Sequence, residues 1–300
     1  MIPPALLGRR PRRLLYLGTP VMAVPPLEAL VAAGFEIGAV VTRIDKRRGR
    51  GTQLSPSPVK DAAQRLGIPV VHSVADGFAL DPRQPFDPAL DLGVVDAFGQ
   101  LIKPDALAQL PMVNLHFSLL PRWRGAAPVE RALLAGDDVT GVCLMQLEAG
   151  LDTGPVFARV EVPIASDATG ESLRLELVDV GTRLLVDELC RGLREPVPQA
   201  GEPTYAAKLS TDDLRLDWSR PAAERDRQIR LGGAWTLWRG QRFKVLAAAV
   251  VDASASGDVL DGDVVGGLRL VTVQPEGKPP MPFESFARGA RPQPGEQLGR

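Results

Sequence analysis

Short apolar segments of strand length alternate with helical segments along the first part of the chain. Helix ends are marked by proline in a first turn, as at Pro58, and by glycine after a last turn, as at Gly34. Strands joined by helices pair in parallel, and the helices cover both faces of the sheet. The pattern therefore predicts an α/β domain with a mostly parallel sheet. The predicted strands are Arg13–Leu17, Glu36–Thr42, Ile68–Val71, Asp91–Val95 and Met112–Phe117.

The pattern changes in the second half of the chain. Two strand-like segments, Thr140–Leu147 and Val156–Val162, are expected to pair, and a long helix is predicted over Glu171–Leu193. A stretch rich in proline and glycine follows, and closely spaced short strands with glycine turns come after it, which is typical of a small β-barrel. The predicted domains are 1–194 and 208–300, with a linker at 195–207.

Composition and segment lengths argue against several classes of protein. The 300 residues are 45% hydrophobic and 24% charged, as in an ordinary globular protein. Apolar runs such as Val245–Val251 are too short to cross a bilayer and no signal segment opens the chain, so a cytoplasmic location is expected. Two histidines and two scattered cysteines form no ligand set, so no metal is expected.

A row of polar side chains lies on the fifth predicted strand. Asn114, His116 and Ser118 are two residues apart, so in an extended strand they point to the same face. Ligands of parallel α/β sheets bind beyond the carboxyl ends of the strands, where this row ends. An amide can hold a developing oxyanion, and an imidazole can move a proton near neutral pH. With the carboxylate of Asp152 to orient the imidazole, these groups suit chemistry at a carbonyl carbon.

Each of these residues also has a structural interpretation. A single histidine on a strand is commonly a hydrogen-bonded core residue, although His116 is flanked here by an asparagine and a serine at the same spacing. Asp152 lies in Gly150-Leu-Asp-Thr-Gly154, where aspartate and glycine are typical of a turn. His72 follows a short apolar strand without a polar partner nearby in the sequence, and a structural or surface role is expected for it.

The first turn between strand and helix carries no cofactor motif. It reads Gly18-Thr19-Pro20, where a dinucleotide-binding fold would have Gly-x-Gly-x-x-Gly. The segment Gly49-Arg50-Gly51 follows a strand but does not open a helix. A phosphate cradle for NAD or ATP is therefore not expected.

Positive charge is concentrated near the start of the chain. Residues 1–52 contain nine arginines and lysines but three acidic residues, whereas the whole chain has a net charge of −1. The run Arg9–Arg13 is expected to be either a disordered basic tail or an anion-binding segment. The loop Arg43–Gly51 is the better candidate for an anionic partner, because guanidinium groups fit phosphates and base edges.

Several longer motifs resemble those of the methionyl-tRNA formyltransferase family. The resemblance covers nearly the whole chain from about residue 12, and its most specific parts are Asn114–Pro128 and Gly150–Gly154. Matches further along, among them Thr204–Lys208 and Val273–Lys278, separate this family from other formyltransferases. The resemblance implies a Rossmann-like formyltransferase domain with a mostly parallel sheet, followed by a small OB-like β-barrel domain that binds tRNA.

The resemblance also implies a reaction and its residues. A formyl group would pass from 10-formyltetrahydrofolate to the α-amino group of methionyl initiator tRNA, for translation initiation. The catalytic residues would be Asn114, His116 and Asp152, with protonated His116 and Asn114 stabilising an oxyanion. The implied folate-binding residues are Ser118, Leu119, Leu120 and Pro121. The implied tRNA-binding residues are Arg43, Lys46, Arg47, Arg48 and Arg50, and a monomer is expected.

Two connections are shorter than is usual in that family. Only Pro-Met-Val separates Leu110 from Asn114, and few residues separate Arg230 from Trp235. Asp96, at the end of an otherwise apolar strand, has no explanation in the sequence. Three other functions stay open at this point: an N-formyltransferase for nucleotide sugars, a hydrolase of formyltetrahydrofolate, and a tRNA-binding protein that is weakly active or inactive.

Overall fold

The computed structural model describes residues 2–47, 54–293 and 295–299. Packing divides the chain into two units, and segments of the sequence alternate between them. The first unit comprises Met1–Pro128, Val139–Pro163 and Arg174–Ala206. The second unit comprises Val129–Asp138, Ile164–Leu173 and Ala207–Arg300. Independent folding of 1–194 and 208–300 around a linker at 195–207 stays a prediction.

Strands and helices alternate through the described residues. The strands of the first unit are β1 (Arg13–Gly18), β2 (Glu36–Val41), β3 (Lys46–Arg47), β4 (Leu54–Ser55), β5 (Val70–Val71), β6 (Leu92–Asp96), β7 (Met112–His116), β8 (Arg124–Gly125), β9 (Val139–Gln146), β10 (Val156–Pro163) and β11 (Tyr205–Ala206). The strands of the second unit are β12 (Trp235–Trp238), β13 (Gln241–Val250), β14 (Leu260–Asp261), β15 (Val264–Val265), β16 (Leu268–Pro275) and β17 (Met281–Pro282).

The helices complete the framework. They are α1 (Val24–Ala32), α2 (Pro58–Arg65), α3 (Val74–Ala79), α4 (Pro104–Gln109), α5 (Pro128–Ala135), α6 (Gly170–Arg191), α7 (Ala222–Leu231) and α8 (Phe283–Ala290). None of these described helices has both the length and the apolar composition that crossing a membrane requires. The sequence patterns predict the longer elements to within a few residues, whereas α3, α4 and α5 are additional to the prediction.

A seven-stranded sheet forms the centre of the first unit. Its strand order is β10-β9-β7-β6-β1-β2-β5, with β9 and β10 antiparallel to their neighbours and the remaining pairs parallel. Every residue of β1 is buried, as expected for a central strand with both faces covered. The predicted α/β fold is confirmed, and the carboxyl end of β7 lies at the edge where such sheets bind ligands.

The arginine-rich start of the chain is folded onto the first unit. Arg12 Nη2 lies 2.8 Å from Oδ2 of the buried Asp91, and Arg13 Nη2 lies 3.6 Å from the same oxygen. The guanidinium of Arg10 lies over the ring of Phe35, 4.0 Å from its centroid. The interpretation as a disordered basic tail is therefore wrong for these three arginines, because their charges have partners within the fold.

Strand β7 is paired on both sides despite the short connection before it. Helix α4 ends at Gln109, and β7 begins at Met112 in parallel register with β6 and antiparallel register with β9. Gly93 of β6 makes room for this approach, because a Cβ built there would lie 2.5 Å from Cγ of Met112. The shortened connector therefore leaves the strand that carries Asn114 fully paired.

The second unit contains an antiparallel sheet. Its order is β12-β13-β16-β15-β14, with β17 paired to β16, and helices α7 and α8 pack against it. This β-rich second domain agrees with the sequence prediction. The short connection from α7 to β12 runs through Gly232 and Gly233, which both have positive φ and adopt it at little cost. The aromatic residues that meet in the core are Trp238, Phe243, Phe283 and Phe286.

Candidate functional site

Strand β7 places Asn114 and His116 on one face at the carboxyl edge of the sheet. Asn114 pairs with Val95 of β6 and Met145 of β9, and His116 pairs with Cys143 of β9. Because alternate residues of a strand share a face, the two side chains project in the same direction. Asn114 is half-buried, whereas His116 is only 5% exposed. The strand therefore presents an amide beside a buried imidazole.

The imidazole of His116 is held by the loop that follows its own strand. Its Nε2 lies 2.9 Å from the carbonyl oxygen of Trp123. A carbonyl oxygen only accepts hydrogen bonds, so the neutral ring carries its proton on Nε2. The other ring nitrogen, Nδ1, is then unprotonated and lies 3.6 Å from Oδ2 of Asp152. His116 is thus oriented to act as a base at Nδ1, with a carboxylate beside it.

Asp152 reaches His116 from the turn between β9 and β10. Its backbone has a φ of +48°, in the left-handed region that residues other than glycine seldom adopt. Its Oδ2 accepts a hydrogen bond of 2.8 Å from the amide of Gly125. The fold thus brings Asp152 and His116 together although they are distant in the sequence, and the turn geometry expected for Gly150–Gly154 is what aims the carboxylate.

Burial sets the protonation state of His116. The loss of hydration lowers the pKa of its imidazole, while the charge of Asp152 and the carbonyl of Trp123 act in the opposite direction. Burial dominates and the pKa is lowered, so the ring is neutral at pH 7. The protonated His116 expected from the sequence is therefore a state formed during a reaction, rather than the form present at rest.

The four residues predicted to bind folate form the turn after β7. The hydroxyl of Ser118 donates a hydrogen bond of 2.5 Å to the carbonyl of Arg122, and the side chain of Leu120 is buried. Leu119 and Pro121 are half-buried. Ser118 and Leu120 therefore fix the shape of this turn, and its contact with folate stays a prediction.

The basic segment predicted to bind tRNA contains strand β3. This strand pairs antiparallel with β4, and its two residues, Lys46 and Arg47, are exposed. Arg43 is half-buried. Arg48 and Arg50 lie outside the described residues. The described part of the segment therefore offers two exposed cations, and binding of tRNA by all five residues stays a prediction.

The other histidine of the chain has different partners. His72 is partly buried, and its Nδ1 lies 3.1 Å from the carbonyl oxygen of Thr42. This contact fits the structural role expected from the sequence. Because the chain has two histidines, one substitution at His72 leaves His116 as the only imidazole.

Residues of the predicted linker contact both loops of the site, and sequence analysis misses them. The side chain of Gln199 bonds to the backbone carbonyl of Asp152, and the side chain of Thr204 bonds to the amide of Trp123. Gln199 lies in a segment rich in proline and glycine, where nothing in the sequence marks it. Thr204 opens a motif that resembles the family, which is the one signal that could have located it.

Matches to known families and proteins extend over both units. Residues 13–189 match a family model described as formyl transferase, and residues 208–291 match one described as formyl transferase, C-terminal domain. Two proteins named methionyl-tRNA formyltransferase, from Dinoroseobacter shibae and Ruegeria pomeroyi, are each 43% identical to this chain. Each alignment covers 92% of this chain and 97% of the relative.

A solved structure shows the same fold at a greater distance. It is an N-formyltransferase from Helicobacter canadensis in complex with folinic acid and dTDP-3-aminofucose. The TM-score is 0.62 at 16% identity, covering 88% of this chain and 99% of that one. Since models of both domains match and the relatives at 43% identity span nearly the full length, the chain belongs to the methionyl-tRNA formyltransferase family.

Proposed function

We propose that this chain transfers the formyl group of 10-formyltetrahydrofolate to the α-amino group of methionyl initiator tRNA, for translation initiation. The observation that carries the proposal is the His116–Asp152 pair, beside Asn114 on the same strand. Formyl transfer between two nitrogen atoms needs a base near neutral pH and a donor for an oxyanion. These three side chains supply both, and the relatives named for this reaction support the choice of acceptor.

The reaction starts with the neutral α-amine of methionine, which attacks the formyl carbon. The carbonyl electrons move onto oxygen, and the amide of Asn114 donates a hydrogen bond to the oxyanion. The attacking nitrogen then loses a proton to Nδ1 of His116, directly or through water. When the oxyanion collapses, the bond from the formyl carbon to N10 of the folate breaks, and His116 returns the proton to that nitrogen.

Two contacts stabilise His116 while it carries this proton. The carboxylate of Asp152 faces Nδ1 and compensates the positive charge of the imidazolium. The hydrogen bond from Nε2 to the Trp123 carbonyl exists in both protonation states, because Nε2 is a donor in each. The ring therefore keeps its orientation when the proton arrives and when it leaves.

We assign the donor substrate to the turn after β7 and to the apolar surface on the same face of the sheet. That surface includes the partly buried Ile102, Leu107 and Leu147. An apolar wall next to a few hydrogen-bonding groups suits a flat heterocycle such as the pteridine ring of folate. The folate-contacting residues in this proposal are Ser118, Leu119, Leu120 and Pro121.

The acceptor substrate is an anionic polymer, and we assign its acceptor end to the basic segment of the first unit. Phosphates are held by exposed cations, and Lys46 and Arg47 have that exposure. Arg43 lies at the start of the segment. We assign Arg48 and Arg50 to the same role because they belong to the motif that resembles the family, in which Arg50 lies between Gly49 and Gly51.

The second unit offers further cations for tRNA. Arg239 is already neutralised, because its Nε lies 2.6 Å from Oε1 of Glu296. Arg242 instead stacks on the ring of Trp235 at 4.3 Å, and Arg215 lies over the same ring at 5.5 Å. Guanidinium groups stacked on an indole keep their donors available for phosphate. We therefore assign backbone contacts with tRNA to Arg242 and Arg215.

We also propose that the chain works as a monomer in the cytoplasm. Asn114, His116 and Asp152 all come from one chain, so the proposed chemistry needs no second copy. Aminoacylated tRNA for translation is a cytoplasmic substrate. Sedimentation of the purified protein, alone and with tRNA, tests the monomer, because a dimer would give a clearly larger mass.

A single assay separates this function from its alternatives. Purified protein is incubated with donor that carries a labelled formyl group, together with methionyl initiator tRNA, with a dTDP-linked amino sugar, or with neither. We expect label on the methionine of the tRNA alone. Label on the sugar would identify a nucleotide-sugar formyltransferase, and free formate a hydrolase. Binding of tRNA without any transfer would identify an inactive member of the family.

A further inference from the structure

Residues 197–206, here called the strap, lie against both loops that contact His116. At one end, Val197 exchanges two backbone hydrogen bonds of 2.8 Å with Val156 of β10. At the other end, strand β11 pairs in parallel with β8. The strap is thus fixed at both ends within the first unit, and between these ends it presents Gln199 and Thr204 to the two loops.

Both the nitrogen and the oxygen of the Gln199 side-chain amide form hydrogen bonds. Its Nε2 donates hydrogen bonds of 2.8 Å to the carbonyls of Asp152 and Gly154. Its Oε1 accepts hydrogen bonds from Nη2 and Nε of Arg124, at 2.6 and 3.1 Å. An amide donates through nitrogen and accepts through oxygen, whereas a carboxylate can only accept. These contacts therefore suit glutamine and do not suit glutamate.

The conformation of the turn at Asp152 depends on hydrogen bonds such as those from Gln199. A left-handed φ costs free energy at a residue with a Cβ, and it persists when neighbouring contacts hold it. The carbonyl of Asp152 is held by Gln199, and its carboxylate is held by the amide of Gly125, both at 2.8 Å. Backbone and side chain are thus fixed separately, and together they set the distance from Asp152 to His116.

The strap also supports the second partner of His116. Thr204 Oγ1 accepts a hydrogen bond of 2.9 Å from the amide of Trp123, and the Thr204 carbonyl accepts one of 2.8 Å from the amide of Arg124. Trp123, with a φ of +62°, is the residue whose carbonyl accepts from His116 Nε2. Both contacts of the imidazole therefore depend on the strap, one through Gln199 and the other through Thr204.

We propose that Gln199 is a positioning residue that holds Asp152 at the distance from His116 required for formyl transfer, with Thr204 supporting the Trp123 carbonyl in the same way. The inference rests on the proposed function, because it concerns the same site. Gln199 acts through Asp152, since its hydrogen bonds go to backbone carbonyls and to Arg124. A misplacement of about 1 Å at a catalytic group can lower a rate by roughly 10²-fold.

Two substitutions at Gln199 and one control test the proposal. Gln199→Ala removes all contacts of the side chain, and Gln199→Glu keeps its size and its contact with Arg124 but cannot donate to the two carbonyls. The control is Glu202→Ala, at an exposed position of the same strap. For both Gln199 variants we expect kcat to fall about 10- to 100-fold while KM for each substrate changes little. The control should match the wild type.

Nuclear magnetic resonance gives a readout that needs no substrate. In a His72→Gln background, the ¹⁵N imidazole signals come from His116 alone. When Asp152 moves away, its charge raises the pKa of His116 less, so that pKa should fall further in Gln199→Ala, which introduces no charge of its own. This measurement also holds if the wild type transfers formyl to another acceptor, so failure of the proposed function and failure of the positioning role are distinguishable.

Three results would overturn the positioning role. One is a wild-type kcat in Gln199→Glu, because the carbonyl contacts would then be dispensable. Another is a reduced kcat in Gln199→Ala with an unchanged titration of His116, because Gln199 would then act elsewhere. The third is an equal loss in Glu202→Ala, which would mean that any change in the strap disturbs the fold. If Gln199→Ala does not fold, Gln199→Glu and the isosteric Thr204→Val carry the test.

Discussion

Oδ2 of Asp152 lies 3.6 Å from Nδ1 of His116 and accepts a hydrogen bond from the amide of Gly125. The distance exceeds that of a hydrogen bond, so at rest the carboxylate acts on the imidazole mainly through its charge. Once Nδ1 binds a proton, a short movement closes a charge-assisted hydrogen bond between the two groups. The pair is therefore arranged to receive a proton.

Alanine at Asn114 or His116 is expected to lower kcat for formyl transfer by about 10²–10³-fold, because each removes a group that acts on the reacting carbon. The affinity for tRNA should stay close to that of the wild type. Single-turnover formylation and filter binding measure the two quantities separately. Near-normal turnover in either variant would contradict the catalytic assignment.

Asparagine at Asp152 is expected to lower the pKa of His116 below its wild-type value. The variant loses the charge that raises this pKa and keeps the burial that lowers it. Titration of the His116 ¹⁵N signals in the His72→Gln background measures the shift. An unchanged pKa would mean that the carboxylate does not act on the imidazole. A variant that fails to fold would instead favour a purely structural turn at Asp152.

The same lowered pKa predicts how stability depends on acid. The unfolded chain binds a proton at His116 near a pH of about 6.5, whereas the folded protein binds it only at lower pH. The free energy of unfolding should therefore fall as the pH drops through that interval. Urea denaturation of the wild type and of His116→Gln measures the effect. An equal fall in both proteins would assign the acid sensitivity to other groups.

Asp96 makes a contribution of the opposite sign to the pH dependence of stability, over a window that overlaps that of His116. It is fully buried, and loss of hydration raises its pKa from 3.8 to about 8, while the hydrogen bond with Tyr16 acts in the other direction. The folded protein then holds a proton that the unfolded chain releases between these values, so stability should fall as the pH rises through this window. Asp96→Asn should flatten the slope, and Asp167→Asn, at an exposed position, should leave it unchanged. A slope that persists in Asp96→Asn would refute the assignment.

Alanine at Arg50 is expected to weaken productive use of tRNA by about 1–3 kcal/mol, the range of a good bidentate contact. Arg47→Ala and Arg48→Ala should cost less, because Arg50 alone is placed between two glycines, Gly49 and Gly51. The measurement is kcat/KM for initiator tRNA, with binding of the donor as the control. Equal small losses in all three variants would mean that the segment is only a diffuse basic patch and that Arg50 makes no specific contact.

The sheet and one row of the site are predictable from the sequence because their signals are periodic. The alternation of polar and apolar residues from Asn114 to Ser118 is enough to predict a strand with Asn114 and His116 on one face. The approach of Asp152 is predictable only through the family motif, since the geometry depends on one left-handed residue. Only the structure gives the distances from His116 to Asp152 and Trp123, and these distances determine which groups interact.

The contacts that the strap makes with the site could not be predicted from the sequence. Gln199 bonds to backbone carbonyls that are remote in sequence, and such bonds leave no periodicity and no required residue type around them. The neutral state of His116 could not be predicted from the sequence either, because the burial of its side chain depends on the whole first unit. The partners of Arg10, Arg12 and Arg13 are likewise tertiary, which is why a run of charge resembles a solvated tail.

The backbone pairing between Val156 and Val197 has a further consequence for β10, which lies at the end of the strand order of its sheet. A strand in that position offers unpaired amide and carbonyl groups to other molecules and can start aggregation. The strap occupies these groups at one end of β10, and Arg159, Glu161 and Pro163 make the rest of the strand unattractive for pairing. In the full chain, Val197→Pro removes the amide that donates to Val156 and is therefore expected to promote self-association.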